Sequence, residues 1–298
     1  MNASVSTEWL DVCQVDVFTE RLFAGNPAAV VSHAGQLSKR IMLDIAREMN
    51  LSETVFLSPP RNHGDYFLET FTVNREIPFA VHASIAAAHA FVETRGGNAP
   101  GLLRQECTAG VIELNRLDDG WFFSLPPAVF SRTEVTPASL APMLGLQGLD
   151  MVGQQTEIVA VGPRWLLVEL GSRDALRRVA PNYAAIAALT ASLPAVGLTA
   201  FVRSPSEGIE AELRAFAPAE GIFEDPVCGS CAGSLAALMR RENARFAADA
   251  PAIFEQGHAM RRPGQVLVRY QDDQLRIGGT SITALRGRVK CGERQCLD

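Results

Sequence analysis

The 298-residue chain is 47% hydrophobic and 20% charged, with 24 Gly and 17 Pro spread along it; this is the balance of an ordinary globular protein and excludes disordered, collagenous and coiled-coil classes. Its 27 Lys and Arg against 33 Asp and Glu leave a net charge of −6, so no overall positive field draws in phosphate backbones and nucleic acid is not an expected partner. Six cysteines are too few for a disulfide framework, and the opening MNASVSTEWLDVC lacks the basic start and apolar run of a secretory leader, so a reduced, cytoplasmic protein is expected.

Taken in chain order, short apolar runs with β-branched residues predict strands, and alanine-rich stretches with Ser, Asp or Pro start signals predict helices. Strands are expected at 14–18 and 28–31, a helix at 38–49, strands at 54–57 and 66–72, and a helix at 83–93. Strands at 111–114 and 121–125 follow, then a helix at 137–144, strands at 158–161 and 165–170, and helices at 173–179 and 183–191. The last elements are strands at 198–203 and 211–216, a helix at 232–242, and strands at 265–270 and 275–279. Residues 179–202 carry no charge, but Pro181, Pro194 and Gly197 interrupt them, which favours a helix followed by a strand over a membrane span. Strands often follow one another without a helix between them. The pattern is α+β with curled, largely antiparallel sheets.

The sequence also repeats itself. FTVNREIPFAVHASIAAAH, beginning at Phe71, aligns with FAPAEGIFEDPVCGSCAGSLAA, beginning at Phe216: each is an apolar strand, an acidic and Pro-containing turn, then a helix rich in small residues. Within the turn one offset pairs Pro78 with Pro226, Ala80 with Cys228 and His82 with Ser230. Two similar halves are expected, setting two helix N-termini across a cleft. Unpaired backbone N–H groups and the helix dipole would favour an anion there.

Three polar clusters sit at element junctions, where a side chain is held rigidly yet reaches a cleft. In Asn50-Leu51-Ser52-Glu53-Thr54, Glu53 stands at the entry to an apolar strand, placed to act as general base or acid. In Arg75-Glu76-Ile77-Pro78-Phe79-Ala80-Val81-His82, His82 falls close to the N-cap of a helix, where a neutral ring can donate a hydrogen bond or relay a proton. His89, two turns further along, reads as a core or supporting residue. In Glu224-Asp225-Pro226-Val227-Cys228-Gly229-Ser230-Cys231, Asp225 and Ser230 flank a helix start, and Cys228 adjoins it. The C-x-x-C spacing of Cys228 and Cys231 raises zinc and redox readings. Both are set aside: zinc needs a second ligand pair and the one on offer, Cys291 and Cys296 at C-x4-C spacing, falls in the last residues of the sequence, while no thioredoxin-like context surrounds the motif. Cys13 and Cys107 read as buried apolar residues. No dinucleotide, P-loop, zinc-protease or serine-hydrolase motif occurs, so chemistry by side chains alone, with no cofactor and no metal, is expected.

Together Val15-Asp16-Val17-Phe18-Thr19, Phe23-Ala24-Gly25-Asn26-Pro27-Ala28-Ala29-Val30-Val31, Asn50-Leu51-Ser52-Glu53-Thr54, Arg75-Glu76-Ile77-Pro78-Phe79 with His82, and Glu224-Asp225-Pro226 with Gly229-Ser230 resemble the signature of the phenazine-biosynthesis PhzF family, in order and over nearly the whole chain. The resemblance implies the diaminopimelate-epimerase-like fold: two pseudo-symmetric α+β domains, each a curled, mostly antiparallel sheet around a central helix. The N-terminal half would be residues 1–128, closed by residues 281–298, and the C-terminal half residues 129–280. It further implies a homodimer and a cofactor-independent isomerase acting on a small anionic carboxylate. Its characterised activity moves a proton from C3 to C1 of trans-2,3-dihydro-3-hydroxyanthranilate, turning an enol into a ketone. The acid/base carboxylate then falls on Glu53 and the supporting polar residues on His82, Asp225 and Ser230, with helix N–H groups near Gly229 and Ser230 holding the substrate carboxylate.

Two positions depart from the pattern. Val81 stands where the family usually has Gly, which narrows the approach to the backbone and bears on substrate shape. Cys228 stands where the family usually has Thr, the position of a catalytic thiol in related two-cysteine epimerases and racemases, yet the opposing position is Ala80. An epimerase or racemase using Cys228, or a binding protein that has lost its reaction, are the alternative readings.

Overall fold

The computed structural model of the chain describes residues 8–33, 37–97, 100–242, 246 and 250–291; residues 292–298, with Cys296, lie outside them. The chain divides into two compact units. The first takes Met1–Phe23, Pro27–Phe123 and Thr280–Asp298, and the second takes Ala24–Asn26 and Ser124–Gly279.

The strands of the first unit are β1 (Glu8–Val17), β2 (Asn26–Ser32), β3 (Glu53–Ser58), β4 (Tyr66–Phe71), β5 (Glu76–Ile77), β6 (Leu102–Cys107), β7 (Gly110–Leu117), β8 (Gly120–Ser124) and a closing strand, Ser281–Cys291. Its helices are α1 (Lys39–Met49) and α2 (Val81–Glu93). The closing strand lies antiparallel to β1, with a register shift between Gln14 and Val15. Next, β2 and β3 run parallel, β4 returns against β3, and β5 returns against β4. After α2, β6 joins β4 in parallel and leads into the antiparallel β7 and β8.

Local chemistry accounts for α1. Met42, Ile45 and Ala46 recur at helical spacing on one face and pack with Leu10, Val31, Phe56 and Phe71. The Ser38 hydroxyl accepts the Ile41 N–H at the start, and Asn50 ends the helix in the left-handed region at φ 51°. Ser38→Ala is therefore expected to lower stability by about 1 kcal/mol, read as a lower urea midpoint at unchanged slope. By contrast α2 has no polar face: it is buried from Val81 to Val92 except at His89, and contacts β1, β3, β4 and the closing strand. Alanine makes this possible, combining high helix propensity with a thin profile that lets strands curl closely around the axis. A buried Ser84 hydroxyl accepts from Gln105 Nε2 at 2.9 Å, tying the helix to β6.

The second unit contains β9 (Val129–Arg132), α3 (Pro137–Leu140), β10 (Glu157–Ala160), β11 (Arg164–Glu169), α4 (Arg173–Arg178), α5 (Tyr183–Ser192), β12 (Gly197–Ser206), β13 (Ile209–Ala217), β14 (Ile222–Asp225), α6 (Gly229–Arg241), β15 (Ala252–Gln256), β16 (Gly264–Gln271) and β17 (Gln274–Gly279). Pairing repeats that of the first unit step for step. Strands β11 and β12 run parallel with helices between them, β13 returns against β12, and β14 returns against β13. After α6, β15 joins β13 in parallel and continues into antiparallel β16 and β17. The central helix α6 is buried from Gly229 to Met239 and contacts β10, β11, β16 and β17. A second cluster, including Leu166, Leu176, Ile186, Leu198 and Phe216, fills the space beneath α4 and α5. The architecture is the α+β fold expected from the sequence, with each unit a curled, mostly antiparallel sheet around a buried helix. Among the described residues no helix is long and apolar enough to cross a membrane.

Both central helices begin earlier than the local pattern predicts. The helix expected from residue 83 starts at Val81, and the one expected from residue 232 starts at Gly229. Helix-poor residues such as Gly229 and Ser230 are tolerated in a first turn because its N–H groups have no partners within the helix in any case.

Candidate functional site

The sequence-predicted residues fall into two sets, one in each unit. In the first unit Glu53 is the first residue of β3 and His82 the second residue of α2. Both are buried, at 7% and 5% exposure, and His82 Nε2 lies 2.9 Å from Glu53 Oε2. The strand aims the carboxylate from a parallel pair in which its register partner is the small Ala28. The helix brings the imidazole to it through the turn that follows β5. Val81, the first residue of α2, is buried in right-handed helical backbone, so a β-branched residue carries no strain there. His89 is half-buried, with Nε2 3.1 Å from Thr283 Oγ1 and 3.4 Å from Glu93; burial lowers its pKa from the usual imidazole value.

In the second unit Asp225 ends β14, Cys228 is the N-cap of α6, and Gly229 and Ser230 are its first two residues. Residues not singled out in the sequence hold them. Asn26 Nδ2 donates to Asp225 Oδ1 at 2.7 Å and to the Val227 carbonyl at 2.9 Å. Gln256, at the end of β15, spans the turn with both ends of its amide: Nε2 donates to the Asp225 carbonyl at 2.5 Å and Oε1 accepts the Cys228 N–H at 2.9 Å. Trp165 Nε1 donates to Ser230 Oγ at 2.9 Å, and Cys228 Sγ lies 3.3 Å from the same oxygen. Asn26 belongs to the motif at residues 23–31, which in sequence gives no hint of this bridging role. Gln256 and Trp165 carry no linear signal, because their partners are remote in the chain.

Cys228 and Cys231 are free thiols. Burial drives the Cys231 pKa well above the ordinary thiol value of 9.0. The folded state thus holds this proton while the unfolded chain releases it near pH 9. The resulting stabilisation is complete below pH 9 and declines as pH rises above it. Denaturation midpoints should fall above pH 9, and Cys231→Ala should flatten that decline. Cys107 is buried as expected, whereas Cys13 is half-buried, its pKa raised to about 11 by desolvation. Among the described residues no group of three or more His, Cys, Asp or Glu is arranged to hold a metal ion.

The duplicated topology matches these positions pairwise. Val81 corresponds to Gly229, Ala80 to Cys228 and His82 to Ser230, since both helices follow the same strand and turn. Register makes Gly197 the counterpart of Glu53: Ala28 opposes Glu53 in the first unit, and Trp165 opposes Gly197 in the second. The carboxylate is present in one copy only.

Residues 15–287 match the family described as phenazine biosynthesis-like protein, PhzC-PhzF. A Pseudomonas aeruginosa protein named trans-2,3-dihydro-3-hydroxyanthranilate isomerase is 31% identical over 281 residues, covering 90% of this chain and 93% of its own. The structure of a PhzF-family phenazine biosynthesis protein from Bacillus anthracis has a TM-score of 0.85 at 22% identity, covering 95% of this chain and 99% of that one. A hydroxyproline epimerase from Agrobacterium vitis has a TM-score of 0.66 at 12% identity, covering 97% and 93%. The two structural likenesses speak for the fold alone. By the family match over nearly its whole length, the chain belongs to the PhzC-PhzF family of phenazine biosynthesis-like proteins, an isomerase family.

Proposed function

We propose that this protein is a cofactor-independent isomerase that moves a proton within a small carboxylated substrate, cyclic or aromatic-precursor in kind, with Glu53 as its single acid/base. The observation that carries the reading is a buried carboxylate beside a buried imidazole, Glu53 and His82 at 2.9 Å, with glycine at the matching position of the second unit. Glu53 takes a proton from one carbon as that C–H bond breaks and the double bond shifts. The resulting carboxylic acid then returns a proton to a second carbon of the same substrate and is a carboxylate again. His82 steadies the carboxylate and can donate to a developing oxyanion. Asp225, held by Asn26, orients polar groups of the substrate. N–H groups at Gly229 and Ser230, with the Ser230 hydroxyl, bind its carboxylate, while Cys228 and Val81 shape the space around it.

An epimerase working through Cys228 has less support, because the counterpart of Cys228 is Ala80 and inversion requires a base on each face. The name of the Pseudomonas aeruginosa relative identifies the first compound to try. Free thiols at all five described cysteines fit a cytoplasmic setting, and sedimentation at micromolar concentration tests the homodimer. Incubated with trans-2,3-dihydro-3-hydroxyanthranilate in D2O, without added cofactor, the protein should isomerise it and incorporate deuterium. Binding without exchange would overturn the isomerase reading in favour of a scaffold that has lost its reaction.

A further inference from the structure

The second unit keeps the 2.9 Å spacing of the Glu53–His82 pair while exchanging its chemistry. At the register pair Ala28–Glu53 the large side chain stands on the second strand; at the matching pair Trp165–Gly197 it stands on the first. The bulk has moved across the pair. A Cβ at Gly197 would overlap the Trp165 ring and the Phe216 carbonyl, so glycine is what admits the indole. In each unit the second residue of the central helix then meets a polar atom from this strand pair at 2.9 Å: Glu53 Oε2 at His82, and Trp165 Nε1 at Ser230.

We infer that Trp165 is a positioning residue that fixes the Ser230 hydroxyl as a hydrogen-bond donor and so tunes it to an anionic group, with Gly197 providing the space for the indole. The inference rests on the proposed carboxylate-binding role of Ser230. An indole N–H can only donate. Ser230 Oγ must therefore accept from Trp165, and its one O–H proton points elsewhere. Within reach lies Cys228 Sγ at 3.3 Å, a contact in which either atom can donate; a carboxylate oxygen is the far stronger acceptor and would take the O–H proton. A hydroxyl that accepts one hydrogen bond while donating another is polarised, and burial of Trp165 and Ser230 keeps water from competing. The relay runs from indole to hydroxyl to anion.

Trp165→Phe keeps an aromatic ring over Gly197 and removes the N–H. Titration with anthranilate and with its neutral analogue anthranilamide should show the variant losing about fivefold in anthranilate affinity, the worth of one hydrogen bond, with anthranilamide changed less than about twofold. In a Ser230→Ala background the same substitution should have no further effect. In turnover the loss should appear in KM more than in kcat. Equal loss in both backgrounds, equal loss for both ligands, or no preference for anthranilate in the unsubstituted protein would each overturn the inference. Should the Phe variant fail to fold, the ¹⁵N-labelled indole signal of Trp165, one of three tryptophans, gives a second reading. It should move on anthranilate addition and stay fixed in Ser230→Ala; movement in both, or in neither, overturns the inference. Failure of the isomerase reading is separable. Trp165–Ser230 coupling without proton exchange keeps the positioning role and removes the reaction, and Glu53-dependent exchange without coupling does the reverse.

Discussion

Replacing Glu53 by Gln should lower isomerisation by at least about 10³-fold while leaving substrate affinity within about threefold. Glutamine preserves the size and planarity of the side chain, so packing at the start of β3, where the residue is 7% exposed, is kept. What it removes is the ability to take and return a proton. Both halves of the proposed transfer use the same group, so no second residue supplies the missing step. The counterpart position in the second unit is Gly197, which offers no carboxylate to substitute. The measurement pairs initial rates with calorimetric or fluorescence titration. A variant with full activity would assign the proton transfer elsewhere, and a variant with rate and affinity equally reduced would make Glu53 a binding group.

Gly257→Ala should destabilise the protein by about 3 kcal/mol and, by disturbing the turn that holds Asp225, lower activity. Gly257 follows Gln256 at φ +88°, a conformation costing an L-residue about 1 kcal/mol. An added Cβ would also overlap the Arg262 carbonyl and lie 2.9 Å from the Pro226 oxygen, an overpacking penalty of roughly 1–3 kcal/mol. Neither neighbour can yield cheaply. Arg262 donates to the Gly25 carbonyl at 2.9 Å and the Ala24 carbonyl at 2.8 Å, fixing the segment from which Asn26 reaches Asp225. Pro226 lies inside the turn that Gln256 spans. Gly208→Ala is the control: φ is +76° but nothing lies within 4 Å of an added Cβ, so only the backbone penalty of about 1 kcal/mol is expected. Urea unfolding of both variants checks the comparison, and equal midpoints would remove the steric argument.

Much of this architecture was legible in the sequence because it is built from local signals used twice. The apolar strand, acidic turn and small-residue helix recur at Phe71 and Phe216, and the pairing order of the two units repeats accordingly. The family resemblance placed residues 281–298 with the first half, but no local pattern marked the closing strand: Arg286, Gly287 and Arg288 interrupt its apolar residues, and its partner β1 lies at the far end of the chain. Such a pairing leaves no mark in a local window. The neighbourhood of Glu53 and His82 rested on family resemblance, since their separation matches no local periodicity. Asn26 and Gln256 were invisible as supports because their hydrogen bonds at Asp225 join residues far apart in the sequence and form only once the second unit is assembled. Trp165 reads as core in any hydrophobic profile; only its N–H, aimed at Ser230, sets it apart.

Following the hydrogen itself distinguishes proton transfer by one carboxylate from transfer by two bases. Substrate carrying deuterium at the carbon that loses its proton, converted in ordinary water and analysed by NMR, should give product with the new hydrogen on the same face and part of the deuterium retained at the receiving carbon. Complete loss of the label together with delivery to the opposite face would require a second base and contradict the account.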